Sequence, residues 1–568
     1  MTVLVIGGGP AGLAAAVSAR RRGVPVVLVD SSDQLGGQFW RHLPDERPAA
    51  HPERMQHGWS RYERLTGELT ADDGCEILTE TQVWAIERFD EGRSTIAAHL
   101  VTGPADGTDR PKRTIRADAL VLAPGAHDRT LPFPGWDLPG VFTAGAAQAF
   151  AKAERVALGE RVVIAGAGPF LLPVAASVAK TGSRVLAVYE ASRVRSLAAG
   201  WLPKPWRLVG AAGKAAELAE YAAGHVRHRI PYRTGHAVIA AQGDGRVEAV
   251  TIARLAADWS PIAGTERTIE ADAVCVSHGF TPRLELPIAA RCEIGADRFV
   301  VTDAGQRTSV PGVFAAGEIT GIGGVDAALA EGAIAGHCAA GGEAGDAEIR
   351  AAVRSRRVFD DFTGRIEAAH GIRPGWTGWL TDDTVVCRCE EVPYGRLRSV
   401  ASASSSASLR ALTLGTRAGL GICQARICGR TVEDLAQRAS GCALDGTTLD
   451  RRPIASPIRL GELAADDAPR GARTDLPPTG AHQDAHGRAE QEGAHGRTEQ
   501  EGAHGRTEQE GAQWRTEQKG AHGCTEQEDA HGRTEQEGAH GRTEHEGARG
   551  RTEQEGAHGC TERKDDNT

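Results

Sequence analysis

The chain has 568 residues, 40% of them hydrophobic, and a formal net charge of −10, which leaves room for about three domains that each bury a core. Residues 485–568 carry 11 basic and 19 acidic side chains, so the rest of the chain is near neutral at −2. This charge does not indicate a nucleic-acid or anionic-membrane partner, and we expect neither. No segment approaches the ~18 apolar residues of a membrane span, and a strand is predicted from residue 2, so we expect a cytoplasmic protein without a signal peptide.

The chain opens with the pattern of a dinucleotide-binding turn. Residues 3–6 form a short apolar run typical of a buried parallel strand, and glycines with the spacing G-x-G-x-x-G follow at Gly7, Gly9 and Gly12. A helix over 11–22 would then direct its N-terminus at a pyrophosphate. The alternative is a glycine-rich turn that binds nothing.

A second strand is expected over 24–29, and Asp30 follows at the position where an acid binds the ribose hydroxyls of a dinucleotide. The adjacent glycines Gly36 and Gly37 of the segment GGQFWR, which Gln38 follows, would let the backbone pass close to the flavin and its ribityl chain. A simple loop is the alternative for this segment. Together these features predict an FAD site.

Three further strands are predicted before residue 124. Segments 77–89 and 94–101 alternate apolar and polar residues as antiparallel strands do. The buried strand 117–123 runs into Ala123, Pro124 and Gly125, where small residues would bring the backbone against the dinucleotide. The prolines after this point predict a stiff crossover to another domain.

A second, degenerate fingerprint follows the crossover. A strand over 161–164 leads to Gly166 and Gly168, but the third glycine is replaced by Leu171. The next strand ends at Glu190, an acid that favours NAD or another adenine nucleotide over NADP. The alternative is a Rossmann domain whose nucleotide site is vestigial.

The chain then returns to the first domain. An apolar strand near 313 ends at Gly317 and Glu318, and a glycine-rich helix start precedes a helix over 327–340. An acid at this position would reach the ribitol, and the helix amides would face flavin oxygens. The predicted fold class is therefore α/β, with two Rossmann-like dinucleotide-binding domains of which the second is inserted in the first.

Four of the eleven cysteines are grouped as C-x-C and C-x4-C, at Cys387, Cys389, Cys423 and Cys428. In a reducing compartment such a group is metal-binding or catalytic, and four thiolates in two close pairs suit a 2Fe-2S cluster. Structural zinc, which usually takes wider cysteine pairs, and an empty set of thiols are the alternatives.

From residue 464 the composition changes. A nine-residue unit close to AHGRTEQEG repeats from residue 485 onward with hardly any large apolar side chain. Such units cannot bury a core, so we expect a disordered tail.

Several separated motifs resemble one known group of proteins. GGQFWR, GAHDRTLPFPGW, GAGPFLL and GEITGIGG are similar to segments of the alpha subunits of flavin-dependent amine and imino acid dehydrogenases. That group includes octopine and nopaline oxidases, hydroxyproline and proline dehydrogenases, the middle subunit of hydrogen cyanide synthase and sarcosine oxidase alpha, all of the pyridine nucleotide-disulfide oxidoreductase type. The cysteine pattern resembles the bacterioferritin-associated ferredoxin domain of the same subunits. The resemblance spans residues 1 to about 463; Pro124 stands where the group usually has threonine.

The resemblance implies an electron-transfer subunit with FAD, a 2Fe-2S cluster and possible occupancy of the second domain by NAD or another adenine nucleotide. It implies a hetero-oligomer with a flavoprotein beta subunit of D-amino acid oxidase type and a small ferredoxin-like subunit or other electron acceptor. The expected domains are FAD-binding (1–135 and 285–342), inserted NAD(P)-like (136–284), helical linker (343–380), 2Fe-2S (381–463) and disordered tail (464–568). Catalytic residues are unassigned, the expected metal ligands are the four grouped cysteines, and the expected cofactor-binding residues are Gly7, Gly9, Pro10, Ala11, Gly12, Asp30, Gly37, Gln38, Val83, Ala123, Pro124, Gly125, Gly166, Gly168, Glu190, Gly317 and Glu318.

Two other functions are compatible with the sequence. One is a self-sufficient NAD(P)H-dependent FAD reductase of ferredoxin-reductase type; a disulfide reductase is disfavoured because no C-x2-C or C-x4-C pair precedes residue 387. The other is a non-enzymatic redox or iron sensor, whose cluster would control association with a partner.

Overall fold

The computed structural model describes residues 1–44, 46–89, 95–403, 408–452 and 454–464. The strands are β1 Val3–Ile6, β2 Val26–Val29, β3 Cys75–Leu78, β4 Thr81–Phe89, β5 Thr95–Thr102, β6 Lys112–Ala117, β7 Ala119–Leu122, β8 Ala126–Asp128, β9 Val141–Thr143, β10 Arg161–Gly166, β11 Arg184–Glu190, β12 Tyr232–Thr234, β13 His236–Gln242, β14 Ala249–Arg254, β15 Arg267–Glu270, β16 Ala273–Ser277, β17 Phe280–Pro282, β18 Val313–Ala315, β19 Val385–Cys387 and β20 Val392–Pro393. The α-helices are α1 Pro10–Arg21, α2 Trp59–Thr70, α3 Ala144–Ala149, α4 Leu171–Lys180, α5 Val194–Trp201, α6 Ala212–Arg227, α7 Glu285–Ala289, α8 Gly324–Ala339, α9 Arg350–His370, α10 Tyr394–Ala403, α11 Leu409–Thr416, α12 Gly429–Ser440 and α13 Leu460–Ala464.

The first sheet has five strands in the order β18-β7-β1-β2-β3, all parallel. Its central strand, β1, is buried along its whole length, as the apolar run predicts for a strand covered on both faces. β18 follows β7 in space but comes about 190 residues later in the sequence. In sequence order, the strands of the second sheet therefore lie between β7 and β18 of the first sheet.

Helices α1 and α8 pack against the first sheet and against each other at very close range. A Cβ atom built on Gly332 would stand 2.0 Å from the carbonyl oxygen of Ala11, and one on Gly336 would stand 2.0 Å from that of Ala15. Only glycine allows two helix backbones to approach this closely. This seam holds the start of the chain against residues 324–339.

The antiparallel sheet β4-β5-β6 covers the side of the first sheet. The prediction of one strand over residues 77–89 is wrong, because the segment divides into β3, which joins the parallel sheet, and β4, which does not. The break falls at Glu80, whose φ of 46° lies in the left-handed region and turns the chain. Apolar alternation alone did not indicate this change of direction.

The second parallel sheet has the order β12-β11-β10-β16-β9, and an antiparallel sheet, β13-β14-β15, packs beside it. The chain crosses between the two parallel sheets along β8 and returns along β17, and these two strands pair antiparallel. The predicted α/β class is confirmed, with the second Rossmann-like unit lying between two parts of the first. The exact domain bounds stay a prediction.

Helix α9 follows α8 and contacts both Rossmann-like units. Arg365 of α9 is 7% exposed and donates to the carbonyl oxygens of Trp201 (2.9 Å) and Lys204 (3.2 Å) in the second unit. At Gly200 an added Cβ would meet Ala369 at 2.6 Å, so α5 and α9 also pack backbone to backbone. The charged stretch predicted as a helical linker is thus a packed structural element.

The C-terminal helical part is built on the second unit. Trp259, Trp376 and Trp379 share one hydrophobic core with Val386 and Leu397. In the described ranges no helix has both the length and the hydropathy to cross a bilayer. The repeat tail, which we predict to be disordered over 464–568, lies outside the described residues from position 465 onward.

Candidate functional site

Of the three glycines in the turn after β1, two are packed against the protein backbone and one faces open space in which a ligand could lie. A Cβ on Gly7 would stand 2.2 Å from the carbonyl oxygen of Ala123, and one on Gly12 would stand 1.7 Å from that of Gly7. These two glycines are therefore required by the fold itself. At Gly9 the nearest atom to an added Cβ is Cα of Gly37, 3.8 Å away, so the space in front of Gly9 is open for a closely approaching group such as a pyrophosphate.

Asp30 closes one end of this open space. Its Oδ2 accepts a hydrogen bond from the Gly8 amide (2.5 Å), and its Oδ1 accepts one from the Ser32 amide (2.7 Å). The residue is 9% exposed and lies on the wall of the cavity. The two amides fix the carboxylate, whose remaining lone pairs suit ribose hydroxyls.

Two acids contact the turn before α8: Glu318 belongs to this turn, and Glu331 reaches it from within the helix. Oε1 of Glu318 accepts from the Gly324 amide (2.9 Å), but its Oε2 is buried without a hydrogen-bond partner among the described residues. Burial raises the pKa of Glu318 to about 8. Glu331 accepts from the Gly317 amide (2.8 Å) and the Thr320 hydroxyl (2.6 Å), and burial raises its pKa to about 7. An orphaned carboxylate oxygen on a cavity wall fits a hydroxyl-bearing ligand.

One cavity of about 1990 Å³ connects these groups with the second unit. That volume exceeds the range of roughly 300–1,000 Å³ found for single small-molecule sites. Gly12, Gly166 and Glu190 do not line it. Fourteen of the expected residues do: Gly7, Gly9, Pro10, Ala11, Asp30, Gly37, Gln38, Val83, Ala123, Pro124, Gly125, Gly168, Gly317 and Glu318.

Four further residues of the cavity wall were not singled out from the sequence as site residues. They are His127, Asp128, Gln148 and Arg283. Burial lowers the pKa of His127 to about 4 and raises that of Asp128 to about 6. Nε2 of His127 and Nε2 of Gln148 are buried without partners within the described chain. His127 and Asp128 belong to the GAHDRTLPFPGW segment, which the sequence marked as distinctive, but the segment alone did not indicate that their side chains line a cavity.

A buried lysine supports the GGQFWR loop from behind. Lys152 is 6% exposed, and its ammonium group donates to the carbonyl oxygen of Phe39 at 3.1 Å. Burial lowers the pKa of Lys152 to about 8. Since Gly37 and Gln38 precede Phe39 directly, this contact fixes the part of the loop that lines the cavity.

Glu190 of the second unit is enclosed by its own chain. The carboxylate is 0% exposed and accepts from the amides of Gly168 (3.0 Å) and Ser192 (2.9 Å) and from the Tyr232 hydroxyl (3.1 Å). Nδ1 of His370, at the end of α9, lies 3.3 Å from Oε2. Burial opposes ionisation, but His370 and the amides prevail and lower the pKa of Glu190. The lone pairs of its two oxygens already accept hydrogen bonds within the protein, so little accepting capacity is left for the hydroxyls of a ribose.

The four grouped cysteines come together in the C-terminal part. Their thiols contact one another in sequence: Cys387 with Cys428, Cys428 with Cys423, and Cys423 with Cys389. Contact with Cys428 lowers the pKa of Cys387 to about 6 and that of Cys423 to about 5. The Gly419 amide also donates to the Cys387 sulfur at 3.4 Å. The same sulfur contacts raise the pKa of Cys428, and burial raises that of Cys389. Two of the four sulfurs therefore have the thiolate character that a metal requires of its ligands.

The spacing of the cysteines along the chain favours two irons over one zinc. Cys387 and Cys389 form a C-x-C pair, which is closer than the C-x2-C or wider pairs that structural zinc sites usually have. A 2Fe-2S cluster needs four thiolates in all, and the two cysteine pairs supply them.

Ion pairs connect the cysteine loop with the cofactor cavity. Arg426, between Cys423 and Cys428, lines the cavity and places its Nε 2.7 Å from Oε1 of Glu285 on α7. Arg129 pairs with Asp434 on α12. These contacts set the position of the cysteine site relative to the cavity.

These two sites define a class of protein, an oxidoreductase with a dinucleotide cofactor site and an iron–sulfur domain. Residues 1–332 match the family model described as pyridine nucleotide-disulphide oxidoreductase, and the chain belongs to this family. Residues 385–438 match the BFD-like [2Fe-2S] binding domain. The resemblance stated from the sequence is thereby confirmed, as is the mixed α/β fold with a helical iron–sulfur domain.

The relatives are components of multi-subunit oxidoreductases. An opine oxidase subunit of Rhizobium meliloti is 32% identical over 482 residues, which cover 81% of this chain and 87% of the relative. The hydrogen cyanide synthase subunit HcnB of Pseudomonas aeruginosa is 30% identical over 469 residues, covering 79% and 96%. The solved L-proline dehydrogenase from P. horikoshii has the same fold, with a TM-score of 0.56 at 21% identity over 82% of this chain and 80% of its own.

Proposed function

We propose that this chain is the electron-transfer subunit of an FAD-dependent amine or imino acid dehydrogenase of opine, proline or hydroxyproline type. The observation that carries the proposal is the quartet of cysteine sulfurs tied to the wall of a dinucleotide cavity through Arg426 and Glu285. The similarity to the opine oxidase subunit of Rhizobium meliloti and to the alpha subunit of Corynebacterium sarcosine oxidase supports the substrate class.

Residues of the first unit would hold the FAD. The open space at Gly9 and the N-terminus of α1 suit its pyrophosphate, and Asp30 suits its ribose. The orphaned Oε2 of Glu318 would accept from a ribityl hydroxyl, while Lys152 keeps the loop at Gly37 in place. When bound, a flavin supplies the exchange between electron pairs and the single electrons that an iron–sulfur centre carries.

Oxidation of the amine itself would take place on a partner, a flavoprotein beta subunit of D-amino acid oxidase type. Two features of the wall support this division. His127 has a pKa lowered by burial, and Asp128 is already bonded to the Gly145 amide at 3.1 Å. A small ferredoxin-like subunit or another acceptor would complete a hetero-oligomer. A reducing cytoplasm, which keeps the four thiols available for iron, is the compartment that we propose.

We also infer that the second unit does not use NADH as a hydride donor. The carboxylate of Glu190, which would bind the ribose of the nucleotide, already accepts hydrogen bonds from two amides and a tyrosine hydroxyl. A nucleotide there, NAD or another adenine nucleotide, would have to be held by the turn at Gly168 and by the cavity wall. This arrangement disfavours the self-sufficient NAD(P)H reductase.

The test is anaerobic purification of the full chain with assays of flavin, iron and sulfide. We expect FAD, iron with sulfide in the 2Fe-2S ratio, and little amine dehydrogenase activity until the partner flavoprotein is added. Cys428→Ser should lose the iron and keep the FAD, because the cysteine site and the turn at Gly9 belong to different parts of the chain. The matched control is Cys442→Ser, which changes an exposed cysteine outside the quartet and should keep both cofactors.

Robust amine oxidation by the chain alone would contradict the division of labour. A colourless protein without flavin and iron would contradict the proposed function as a whole. Cluster-dependent association with a partner, without steady electron flow, would instead identify a sensor.

A further inference from the structure

The cysteine site has an inner and an outer side. Cys387 and Cys428 are 1% and 3% exposed, whereas Cys423 is half-buried and Cys389 is exposed. The thiols of Cys389 and Cys423 contact each other. This pair therefore marks the edge at which a metal centre would come closest to solvent.

Apolar side chains stand uncovered at that edge. Gly421 lies against Cys389, since a Cβ built on it would be 2.3 Å from Cβ of the cysteine. Its neighbours Ile422 and Leu420 are 92% and 41% exposed. One exposed apolar residue is ordinary, but apolar residues grouped beside a metal ligand are typical of a contact surface.

Basic side chains continue this edge along α11. Arg410 and Leu414 are both exposed and lie one turn apart on the same helix face, and Arg417 follows directly after the helix. Nε of Arg417 lies 2.5 Å from Oε2 of Glu390, the residue next to Cys389. The C-terminal end of α11 is therefore held beside the outer cysteine pair, and Leu414 and Arg410 extend from it along the helix.

The charge of this part of the chain differs from that of the whole. Residues 392–432 contain six arginines and neither aspartate, glutamate nor lysine, although the whole chain has a net charge of −10. When the flanking residues are included, the stretch 381–438 has eight arginines and six acidic side chains and keeps a net charge of +2. Residues 1–484 together are near neutral at −2, so this region is positive relative to the rest of the folded chain and would attract an acidic partner.

We propose that Arg410, Leu414, Arg417, Leu420 and Ile422, here called the cluster rim, form the docking surface for an acidic electron-accepting protein. The proposal rests on the proposed function, because it needs iron in the cysteine site. One electron would pass from the reduced cluster to the acceptor's metal centre, so the cluster is oxidised, the acceptor is reduced, and no bond or proton is exchanged.

The small apolar area and the surrounding charge both favour a transient partner of this kind. Electron-transfer complexes bury little surface and depend on charge for encounter. A second copy of the chain would present the same positive rim and be repelled in a symmetric contact. The acidic repeat tail, with a net charge of −8 over 485–568, is the other candidate occupant.

The test uses the full cofactor-loaded chain and two small haem proteins of opposite charge, acidic cytochrome b5 and basic cytochrome c. Binding of the oxidised proteins is measured as a Kd at low and high ionic strength, without turnover. After photoreduction of the chain, the rate of haem reduction is measured in a stopped-flow instrument. The variants are Arg410→Glu with Arg417→Glu, and Ile422→Ser. The control is Arg350→Glu with Arg357→Glu, an exposed pair of the same spacing on α9.

We expect cytochrome b5 to bind more tightly than cytochrome c, with an affinity that falls as salt is added. The double rim variant should weaken cytochrome b5 binding and slow its reduction by about tenfold or more at low ionic strength, while the α9 control changes neither. Ile422→Ser should slow the reduction of cytochrome b5 with a smaller change in the salt dependence. Flavin content should stay the same in all variants. Iron content is measured for each variant, because Arg417 pairs with Glu390 next to Cys389, and rates are compared per loaded cluster.

Equal effects of the rim and control variants would overturn the docking proposal while leaving the proposed function intact. Binding of cytochrome b5 that appears only after deletion of 465–568 would also overturn the docking proposal, because the tail would then be the occupant of the cluster rim. A dimer that dissociates in the rim variants would overturn it as well, because a second copy would then be the occupant. A photoreduced chain that passes electrons to neither haem protein would overturn both proposals.

Discussion

The two Rossmann-like units of this chain share a topology and use it differently. In each, an acid at the end of the second strand accepts from an amide of the preceding glycine turn: Asp30 from Gly8 and Glu190 from Gly168. Asp30 then faces the cavity, whereas Glu190 is fully buried beneath Tyr232 and His370. The same local motif thus provides a ligand-binding group in one unit and an internal support in the other.

The helix starts differ in the same way. α1 begins at Pro10, directly after the second glycine of its turn, and Gly12 sits against the Gly7 carbonyl. α4 begins only at Leu171, the residue that replaces the third glycine. Since a side chain at that position cannot approach the strand backbone as glycine does, the second helix starts later relative to its glycines than the first.

The largest expected effect comes from Gly12→Ala, which tests how tight the first turn is. The new methyl group would stand 1.7 Å from the Gly7 oxygen, so we expect a loss of about 3 kcal/mol or more in the free energy of unfolding. FAD should be lost with it. Denaturant unfolding and flavin absorbance measure both. Gly67→Ala on α2, where an added Cβ meets nothing within 4 Å, should be neutral or gain about 0.5–1 kcal/mol.

The paired variants Asp30→Asn and Glu190→Gln test the comparison directly. Asp30→Asn should weaken FAD binding by about 1.5–3 kcal/mol, since it removes a charged acceptor that faces the cavity. It should lower the Tm less than Glu190→Gln does, because only two amides donate to Asp30 and the residue borders the open cavity. In Glu190→Gln an NH2 group replaces one acceptor oxygen and faces groups that donate hydrogen bonds. We therefore expect a lower Tm, while FAD binding is retained. If both variants lose FAD equally, the two acids have the same role and the comparison fails.

Mixing with NADH is the next test, because the buried Glu190 predicts that the second unit cannot supply hydride. In a stopped-flow instrument the flavin should show no rapid bleaching, and the rate should not saturate with NADH. Photoreduction of the same sample serves as the control that its flavin is competent. Fast, saturable bleaching would identify the chain as an NADH-dependent reductase.

The last expected effect is a pH dependence of the flavin-free chain. The pKa of Glu318 is raised by burial to about 8, above its ordinary value near 4.5, so the folded state holds a proton that the unfolded state has released. The stabilisation is present in full below about pH 4.5 and is lost as the pH rises toward 8. Thermal melts should therefore show a Tm that falls over this window, less steeply in Glu318→Gln. A curve that is identical in the variant would contradict the role of this carboxyl group.

The sequence was sufficient for features that depend on local pattern. The glycine spacing placed α1 and β2 within two residues of their observed bounds, and the cysteine spacing identified all four sulfurs that meet in the structure. Both signals come from residues that must occupy fixed positions relative to near neighbours in the chain. Such constraints are visible without the fold.

Features that depend on distant contacts were not accessible. Nothing near Glu190 shows that His370, 180 residues later, would lie against its carboxylate. The role of Arg426 at the cavity wall depends in the same way on Glu285, which belongs to another part of the fold. The strand break at Glu80 was missed because apolar alternation reports which face is buried and not the direction in which a strand runs.

The seam between α1 and α8 has a consequence for the newly made protein. Gly332 and Gly336 must reach Ala11 and Ala15 before the helix behind the first glycine turn is covered. A ribosome will therefore have released roughly the first 340 residues, including the whole inserted unit, before the flavin pocket can close. The nascent chain has to carry an unfinished pocket until residues 324–339 have been made, so the cofactor can be enclosed only after the inserted unit has been synthesised.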